Sequence, residues 1–364
     1  MNIVCSKEKL IYNINLVSQT ASNRTTMPIL ECILITANEN LKLTANNMET
    51  AIETVPIEAG ILEKGEIAIN AKFFADVIRK LPEEEVIIKV DEKGSVLIKS
   101  GKVEFKIMGQ KSEDFPRLPD LELLSGEVIE GELFRKMIKQ TIFSISTSED
   151  KPTFTGELLE IKNGKIILVA VDNFRVSLRS EDLAAEINHE AIIPGKTMKE
   201  LSRIIPANSD ISIYFTEKYV LIETNEFVIT SRLLEGDFLK YNQVFEGERK
   251  TLFTINRNEI LEALDRAGII ASDGKTVPSK LKIEKEKLII TSNSDMGNLY
   301  DEVEIALVGD ELEISFNPKF LIEAIKAIES DNISMQFGTS LSPCVIMAEN
   351  SENYKYLVLP LRMD

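Results

Sequence analysis

Histidine and cysteine, on which most metal sites and many nucleophilic mechanisms draw, are nearly missing: the chain has one His and three Cys in 364 residues. His189 alone cannot build a metal site. As a general base it would need a partner that the local string Ile187-Asn-His-Glu does not supply, so it reads as a surface loop residue. Cys5, Cys32 and Cys344 are scattered, odd in number and without C-x-x-C spacing, which removes a zinc or redox pair and leaves buried thiols. Long apolar runs are absent too. No stretch approaches the roughly 20 apolar residues of a membrane span. Met1-Asn-Ile-Val-Cys-Ser-Lys lacks the basic start and apolar run of a secretory signal, and the expectation is a cytoplasmic protein. Positive charge is in deficit, with 42 Lys and Arg against 59 Asp and Glu, a net charge of −17. On that total a nucleic-acid partner is disfavoured, because phosphate binding needs concentrated cations.

Phosphate-loop and acid-cluster chemistry are missing as well. Gly195-Lys-Thr and Gly274-Lys-Thr resemble the end of a phosphate-binding loop, but the glycine required five positions earlier is Glu190 in one and Ile269 in the other, so nucleotide hydrolysis is not expected. No acidic group combines with His or Cys at ligand spacing. The sequence predicts no catalytic residue, no metal and no cofactor.

What is present is a repeat. Lys72-Phe-Phe-Ala-Asp-Val-Ile-Arg-Lys-Leu-Pro, Lys196-Thr-Met-Lys-Glu-Leu-Ser-Arg-Ile-Ile-Pro and Lys319-Phe-Leu-Ile-Glu-Ala-Ile-Lys-Ala-Ile are three versions of one amphipathic helix, spaced about 120 residues apart. With 44% hydrophobic and 28% charged residues the chain can bury sizeable cores. Helical periodicity recurs near residues 7–19, 72–81, 131–144, 196–205, 257–270 and 318–329, two helices per repeat. Between them lie alternating strands such as Glu85-Val-Ile-Ile-Lys-Val, Ser95-Val-Leu-Ile-Lys-Ser, Val103-Glu-Phe-Lys-Ile-Met and Asp210-Ile-Ser-Ile-Tyr-Phe. Short turns at Lys93-Gly94 and Asn163-Gly164 imply antiparallel pairing. Each repeat is thus a strand, a helix and three strands, performed twice. Periodicity lapses in Phe115-Pro-Arg-Leu-Pro-Asp-Leu-Glu and in Tyr241-Asn-Gln-Val-Phe-Glu-Gly-Glu-Arg-Lys, which predicts domains over 1–118, 126–244 and 248–364.

Charge follows the repeat. In the helix from Glu132, Leu133, Phe134, Met137, Ile138 and Ile142 form one stripe opposite Arg135, Lys136 and Lys139. Met198, Leu201, Ile204 and Ile205 likewise oppose Lys196, Lys199 and Arg203, and Phe73, Phe74, Val77 and Ile78 oppose Lys72, Arg79 and Lys80. The segments 7–19, 72–80, 132–140, 196–203, 257–266 and 319–326 together carry +7, which leaves −24 for the rest of the chain. Exposed Lys and Arg are also ordinary helix formers on solvated faces. If the helices share a concave side, however, their basic fronts form one surface suited to phosphates, which position a protein without reading bases.

Several strings sit in an order that resembles the bacterial DNA polymerase III β subunits, the sliding-clamp family. They are Arg24-Thr-Thr-Met-Pro-Ile-Leu, Lys72-Phe-Phe, Asp114-Phe-Pro, Lys151-Pro-Thr-Phe-Thr-Gly, Asp172-Asn-Phe-Arg and the terminal Tyr356-Leu-Val-Leu-Pro-Leu-Arg. The resemblance spans essentially the whole chain. It implies an α+β fold of three clamp domains, antiparallel sheets outside and two helices per domain lining a concave face, closed by a head-to-tail homodimer into a ring around duplex DNA. It implies a non-catalytic processivity factor that tethers the replicative polymerase and binds clamp-loader and repair proteins through short linear peptides.

Residue by residue, the resemblance assigns DNA contact to Arg24, Lys72, Arg79, Lys80, Lys136, Lys139, Lys151, Lys196, Lys199, Arg203, Lys275 and Lys319. It assigns a peptide pocket to Phe154, Asn173, Phe174, Arg175, Val176, Leu239, Val244, Asn317, Phe320, Leu341, Pro343, Leu357, Leu359, Pro360, Leu361 and Arg362. Subunit contact falls to Phe105 and Ile107 against Ile269 and Ile270, with Lys102 near Asp301 and Glu302. Two strings depart from the family: Asp172-Asn-Phe-Arg-Val replaces Asp-Gly-His-Arg-Leu, and Phe238-Leu-Lys-Tyr replaces Phe-Pro-Asp-Tyr. The alternatives are an adaptor repeat protein with no DNA in its path, and an enzyme whose site forms between repeats from Asp, Glu and Lys.

Overall fold

The computed structural model describes residues 1–22, 25–117, 126–185, 188–270 and 277–362. Arg24, Lys275 and the stretch 118–125 lie outside the described residues. Within them run seven α-helices: α1 Lys7–Ser18, α2 Ala71–Lys80, α3 Gly131–Thr141, α4 Gly195–Ile204, α5 Tyr241–Val244, α6 Arg257–Ile269 and α7 Pro318–Ala327. Six fall where the periodicity predicts them. The single turn α5 occupies an aperiodic stretch of sequence, and Ile142–Ser144 is a 3-10 turn rather than a continuation of α3.

Helix starts are written into the sequence. Asn70, Asn256 and Asn317 each end a strand or follow one, and each side-chain oxygen accepts a backbone N–H of the next turn, from Phe73, Asn258 and Lys319 at 3.1, 2.9 and 3.1 Å. An Asn in that position satisfies a donor that the helix cannot pair internally. Helix ends are held by neighbouring cations: Lys7 donates to the Leu81 carbonyl at 2.6 Å after α2, and Arg257 donates to the Ile325 carbonyl at 3.1 Å near the end of α7. Both place positive charge where the helix dipole favours it.

The chain forms two compact units, Met1–Phe134 with Arg203–Leu233, and Arg135–Ser202 with Leu234–Asp364. In the first, a five-stranded antiparallel sheet runs in the order Gly60–Glu63, Asn2–Ser6, Glu85–Val90, Ser95–Ser100, Val103–Met108. An eight-stranded sheet joins two repeats, because Phe227–Arg232 pairs with Thr50–Thr54, Ile229 opposite Ile52. Helices α1 and α2 pack together, with Leu10, Ile14, Phe74, Val77 and Ile78 buried. Each such side chain contributes about 1.5–3 kcal/mol relative to exposure. Phe73 does not join them. It is 50% exposed, because Ala71 and Ala75 take the inner positions with Phe74 and leave Phe73 on the outer face with Lys80.

The second unit repeats the plan. A nine-stranded sheet again crosses between repeats where Arg175–Asp182 pairs with Tyr354–Val358, Val176 opposite Leu357. A four-stranded sheet ends in the edge strand Gly297–Glu304. Helices α6 and α7 pack together over a core that includes Phe253, Leu264, Phe316, Leu321, Ile325 and Phe337. The hairpin at Asn163-Gly164 has both residues at positive φ, 52° and 72°, the conformation for which this pair is favoured. His189 corrects the loop reading: it opens the strand His189–Pro194 and pairs opposite Ile161. A lone polar residue in a polar string carries little strand signal, and here the pairing with Gly156–Lys162 decides its conformation.

Candidate functional site

The second unit holds a cavity of about 250 Å³ where the inter-repeat strand pair meets two loops. Strand alternation sends Leu158, Val169, Val171, Val176 and Leu357 to one face, where they form a cluster with Phe154, Phe238, Leu239 and Val244. The cavity is lined by Lys151, Phe154, Val171, Asp172, Asn173, Arg175, Val176, Leu239, Val244, Pro343, Leu357 and Leu359.

Its rim is fixed by Asp172 and Arg175. Asp172 Oδ1 accepts from the backbone N–H of Phe174 at 2.8 Å and of Arg175 at 3.0 Å, while Oδ2 accepts from Arg175 Nε at 2.9 Å. Arg175 is 7% exposed. Its guanidinium also donates to the Phe143 carbonyl at 2.7 Å and the Tyr356 hydroxyl at 3.3 Å, and it pairs with Glu323. It lies 4.5 Å from the centroid of the Phe320 ring and 5.7 Å from that of Phe143. Burial works against its charge, but Tyr356, Glu323 and Asp172 outweigh that and raise its pKa above the ordinary value. Burial in turn pushes the Tyr356 phenol up. The turn carrying Asn173 and Phe174 is thereby tied to α7.

Of the residues the resemblance assigns to a pocket, Phe154, Asn173, Arg175, Val176, Leu239, Val244, Pro343, Leu357 and Leu359 line this cavity. The others lie off its wall. Phe174, 50% exposed, stacks on Phe320 at 6.1 Å between centroids. Asn317 caps α7, Leu341 is exposed, and the Leu359 and Leu361 amides bond the carbonyls of Phe174 and Ser315, each at 2.8 Å. Pro360 is half-buried and Arg362 exposed. Sequence reasoning missed Val171 and Asp172; the alternation through Val169 and Val171 was the available signal for the first. Lys151, assigned to DNA, stands on the cavity wall with Nζ 4.9 Å from the Phe154 centroid.

The basic candidates sit on helix faces. Lys72, Arg79 and Lys80 are exposed on α2, with Arg79 bound to Asp76 and to Asn15, both at 3.1 Å. On α3, Lys139 is exposed and Lys136 pairs with Glu329. Lys196, Lys199 and Arg203 are exposed on α4, and Lys319 on α7 lies 3.9 Å from Glu323. The inner faces are less uniform than the stripe implies, since Leu133 and Ile204 are only half-buried.

Among the interface candidates, Phe105 and Ile107 are half-buried on the edge strand Val103–Met108, beside exposed Lys102. Ile269 is 78% exposed at the end of α6, next to half-buried Ile270. Asp301 and Glu302, expected near Lys102, have partners in their own unit: Arg266 at 2.7 Å and Lys287 at 3.0 Å.

All three cysteines are buried, and burial raises the thiol pKa of each, Cys32 to about 11. Among the described residues no group of three or more His, Cys, Asp or Glu is placed to hold a metal ion, and no helix is long and apolar enough to cross a membrane. Glu157 is fully buried beside the Thr141 hydroxyl; burial pushes its carboxyl up to about 8, and the Thr141 hydrogen bond only partly offsets this.

Three family models match in succession, those of the DNA polymerase III beta subunit N-terminal domain over residues 1–119, central domain over 128–240 and C-terminal domain over 242–362. The chain is therefore a three-domain protein of the clamp fold. The Beta sliding clamp of Bacillus subtilis is 32% identical over 376 residues, with all of both chains covered. Among solved structures, a putative DNA polymerase III beta subunit from Eubacterium rectale (35% identity) and the DNA polymerase sliding clamp from Bacillus subtilis (31%) each superpose with a TM-score of 0.97, with all of both chains covered. The chain belongs to the DNA polymerase III beta subunit family, the beta sliding clamps.

Proposed function

We infer that this chain is a DNA sliding clamp, a non-catalytic processivity subunit that encircles duplex DNA and recruits replication and repair proteins. The carrying observation is the end-to-end match to the three beta-subunit domains, together with an apolar cavity at the seam between the second and third repeats. Two copies close head to tail into a ring, the edge strand of Phe105 and Ile107 meeting the edge of Asp301 and Glu302 beside Ile269 and Ile270. The domains are 1–118, 126–244 and 248–364, and the protein works in the cytoplasm.

A closed ring needs no tight contact to stay on DNA, so exposed cations on α2, α3, α4 and α7 can exchange phosphates as it slides. Lys72, Arg79, Lys80, Lys136, Lys139, Lys196, Lys199, Arg203 and Lys319 serve this role, with Arg24 and Lys275. The cavity takes the apolar anchor of a partner's short peptide, and Phe174, Phe320, Leu341, Asn317 and the Pro360–Arg362 tail flank its path. Tethering raises the polymerase's effective concentration at the primer end without new contacts to DNA.

The test is topological. After loading, the ring should be retained on nicked circular DNA through gel filtration and lost when that DNA is linearised. Equal retention on both forms would refute encirclement.

A further inference from the structure

Glu157 is a fully buried acid in the strand Gly156–Lys162, bonded to the Thr141 hydroxyl at the end of α3. It pairs opposite Ile193, one rung before the residue that precedes α4, just as Ile33 pairs opposite Ile69, one rung before the cap of α2. Ile33 and Val17, at the matching places of the first repeat, are both fully buried. An acid and a hydroxyl have therefore replaced two apolar side chains together. Thr141 Oγ1 also lies 2.8 Å from the Met137 carbonyl and 3.3 Å from that of Ile138. A hydroxyl has one proton. Given to the Met137 carbonyl, it leaves only lone pairs toward Glu157, so the proton between them belongs to the carboxyl and Glu157 donates as an uncharged acid. Its Oε2 has no hydrogen-bond partner among the described residues, which a neutral carbonyl oxygen tolerates far better than a carboxylate. Burial, which pushes the carboxyl up to about 8, agrees. The charged and titratable groups of the surrounding elements are Arg135, Lys136 and Lys139 on α3, Lys196, Lys199 and Glu200 on α4, and His189, Arg179 and Glu181 on the shared sheet face. None of them bonds Glu157, and Arg179 is held by Glu181 and Gln140.

Thr141 leads directly into the support of the pocket. Past it lies the 3-10 turn Ile142–Ser144, whose Phe143 carbonyl accepts from Arg175 at 2.7 Å and whose Ser144 hydroxyl bonds that of Ser177. We propose that Glu157 is a proton latch for the peptide pocket: the uncharged acid holds Thr141 and the turn after it, and loss of its proton to solvent frees that turn, loosens Arg175 and weakens peptide binding. This rests on the peptide-pocket reading above. On ionisation Thr141 turns its own proton from the Met137 carbonyl to the carboxylate. The folded acid titrates above an unfolded glutamate, so the latch is closed below its pKa and opens as pH rises through it. By linkage, a bound peptide makes Glu157 hold its proton more tightly.

Isothermal titration calorimetry with an acetylated, amidated hexapeptide of uncharged residues ending in two leucines reads affinity and, from buffers of different ionisation enthalpy, proton exchange. The wild-type chain should bind about fivefold more weakly at about pH 9.5 than at about pH 6.5 and take up protons on binding near about pH 8, a coupling of ordinary size between two sites. Glu157→Gln, whose amide can donate to Thr141 at every pH, should bind alike at both and take up none. The apolar pair of the first repeat, Glu157→Ile with Thr141→Val, should be equally flat and decides the matter if the Gln variant does not fold. Wild-type affinity that ignores pH, or a decline that persists in a folded Glu157 variant, would overturn the proposal. If the wild-type chain binds equally at both pH values and Leu239→Asp abolishes the binding, the pocket reading stands and this proposal alone fails. If it binds at neither, the pocket reading falls and takes the proposal with it.

Discussion

Arg175→Gln isolates the element that shapes the pocket. The wild-type guanidinium holds Asp172, Glu323, the Phe143 carbonyl and the Tyr356 hydroxyl together from a nearly buried position. Removing one member of a buried ion pair costs about 3–5 kcal/mol where the stranded charge stays dry. Here the side chains of Asp172 and Glu323 keep 16% and 29% exposure, so water recovers part of the loss and about 2–3 kcal/mol is expected. In a unit of this size about 1 kcal/mol moves Tm by roughly 2–4 °C, so thermal melting should report a drop of about 5–10 °C for the transition of the second unit. Peptide affinity should fall as well, because the Asn173-Phe174 turn loses its link to α7. Arg175→Lys should fall between, keeping charge without the planar fork. Glu323→Gln alone should cost less, and the double variant should be non-additive with Arg175→Gln by about 0.5–3 kcal/mol. An Arg175→Gln chain melting within about 1 °C of wild type and binding peptide normally would refute the claim that this network forms the site.

Replacing Lys139, Lys196 and Lys199 together with Gln should lower the slope of log affinity against log salt for short duplex DNA, by up to about 0.9 for each phosphate that is no longer neutralised. An unchanged slope would mean these faces are merely solvated. Glu157 has a folded pKa of about 8, above that of an unfolded glutamate, so the native chain holds an extra proton between about pH 4.3 and 8. Its contribution is then fully present below that window and declines by about 1.4 kcal/mol per pH unit through it. Glu157→Gln should raise Tm relative to wild type at about pH 8.5 and much less at about pH 5.5; a difference independent of pH would refute this. For the ring, Ile107→Asp and Ile269→Asp should each give monomers by light scattering. Mixed, they should recover dimers, because head-to-tail closure leaves one of the two interfaces wholly wild type. Dimers in either single variant, or none in the mixture, would contradict that geometry.

The repeat and its strands were legible because their signals are local. Glu85–Val90, Ser95–Ser100 and Val103–Met108 fall where alternation puts them, and the three Asn caps mark helix starts. The sheet junctions were not, since nothing near Ile52 or Val176 names Ile229 or Leu357 as its partner. For the same reason the two compact units do not follow the repeats: each large sheet continues from one repeat into the next. The resemblance assigns Arg175 to the pocket, but its role as a buried hub was not legible, since its partners Phe143, Glu323 and Tyr356 lie 32, 148 and 181 residues away. Phe73 departs from its expected place because Phe73 and Phe74 are equally apolar, and helix geometry admits only one of two adjacent residues to the centre of the buried arc.

The repeat plan also runs up to the edge of the pocket. Met27-Pro-Ile-Leu-Glu-Cys-Ile-Leu and Lys151-Pro-Thr-Phe-Thr-Gly-Glu-Leu occupy the same place in their repeats, each a 3-10 turn leading into the strand after the first helix. Asp114-Phe115 and Asp237-Phe238 likewise follow the last strand of their repeats. In the first repeat Phe115 is 2% exposed and packs with Leu30, Cys32, Leu34 and Ala68. In the second, Gly156 stands where Cys32 would be, Phe154 meets Phe238 edge-on at 6.0 Å between centroids, and both rings stay partly exposed. The matching slot of the second repeat is thus also occupied by its own phenylalanine, Phe238, which packs on the cluster of Leu158 and Ile192, and the 250 Å³ cavity lies beside it, sharing Phe154 and lined by Val171, Val176, Leu357 and Leu359. An apolar cavity that no side chain of its own repeats closes is one that another chain's apolar residue can fill, since burial rewards that occupant as it rewards an internal one. Enlarging the local filler should therefore compete with the partner: Val176→Phe, a buried substitution on the cavity wall, should keep the fold and weaken peptide binding by at least about tenfold, or about 1.4 kcal/mol. Undiminished binding by a folded Val176→Phe chain would show that the anchor seats elsewhere.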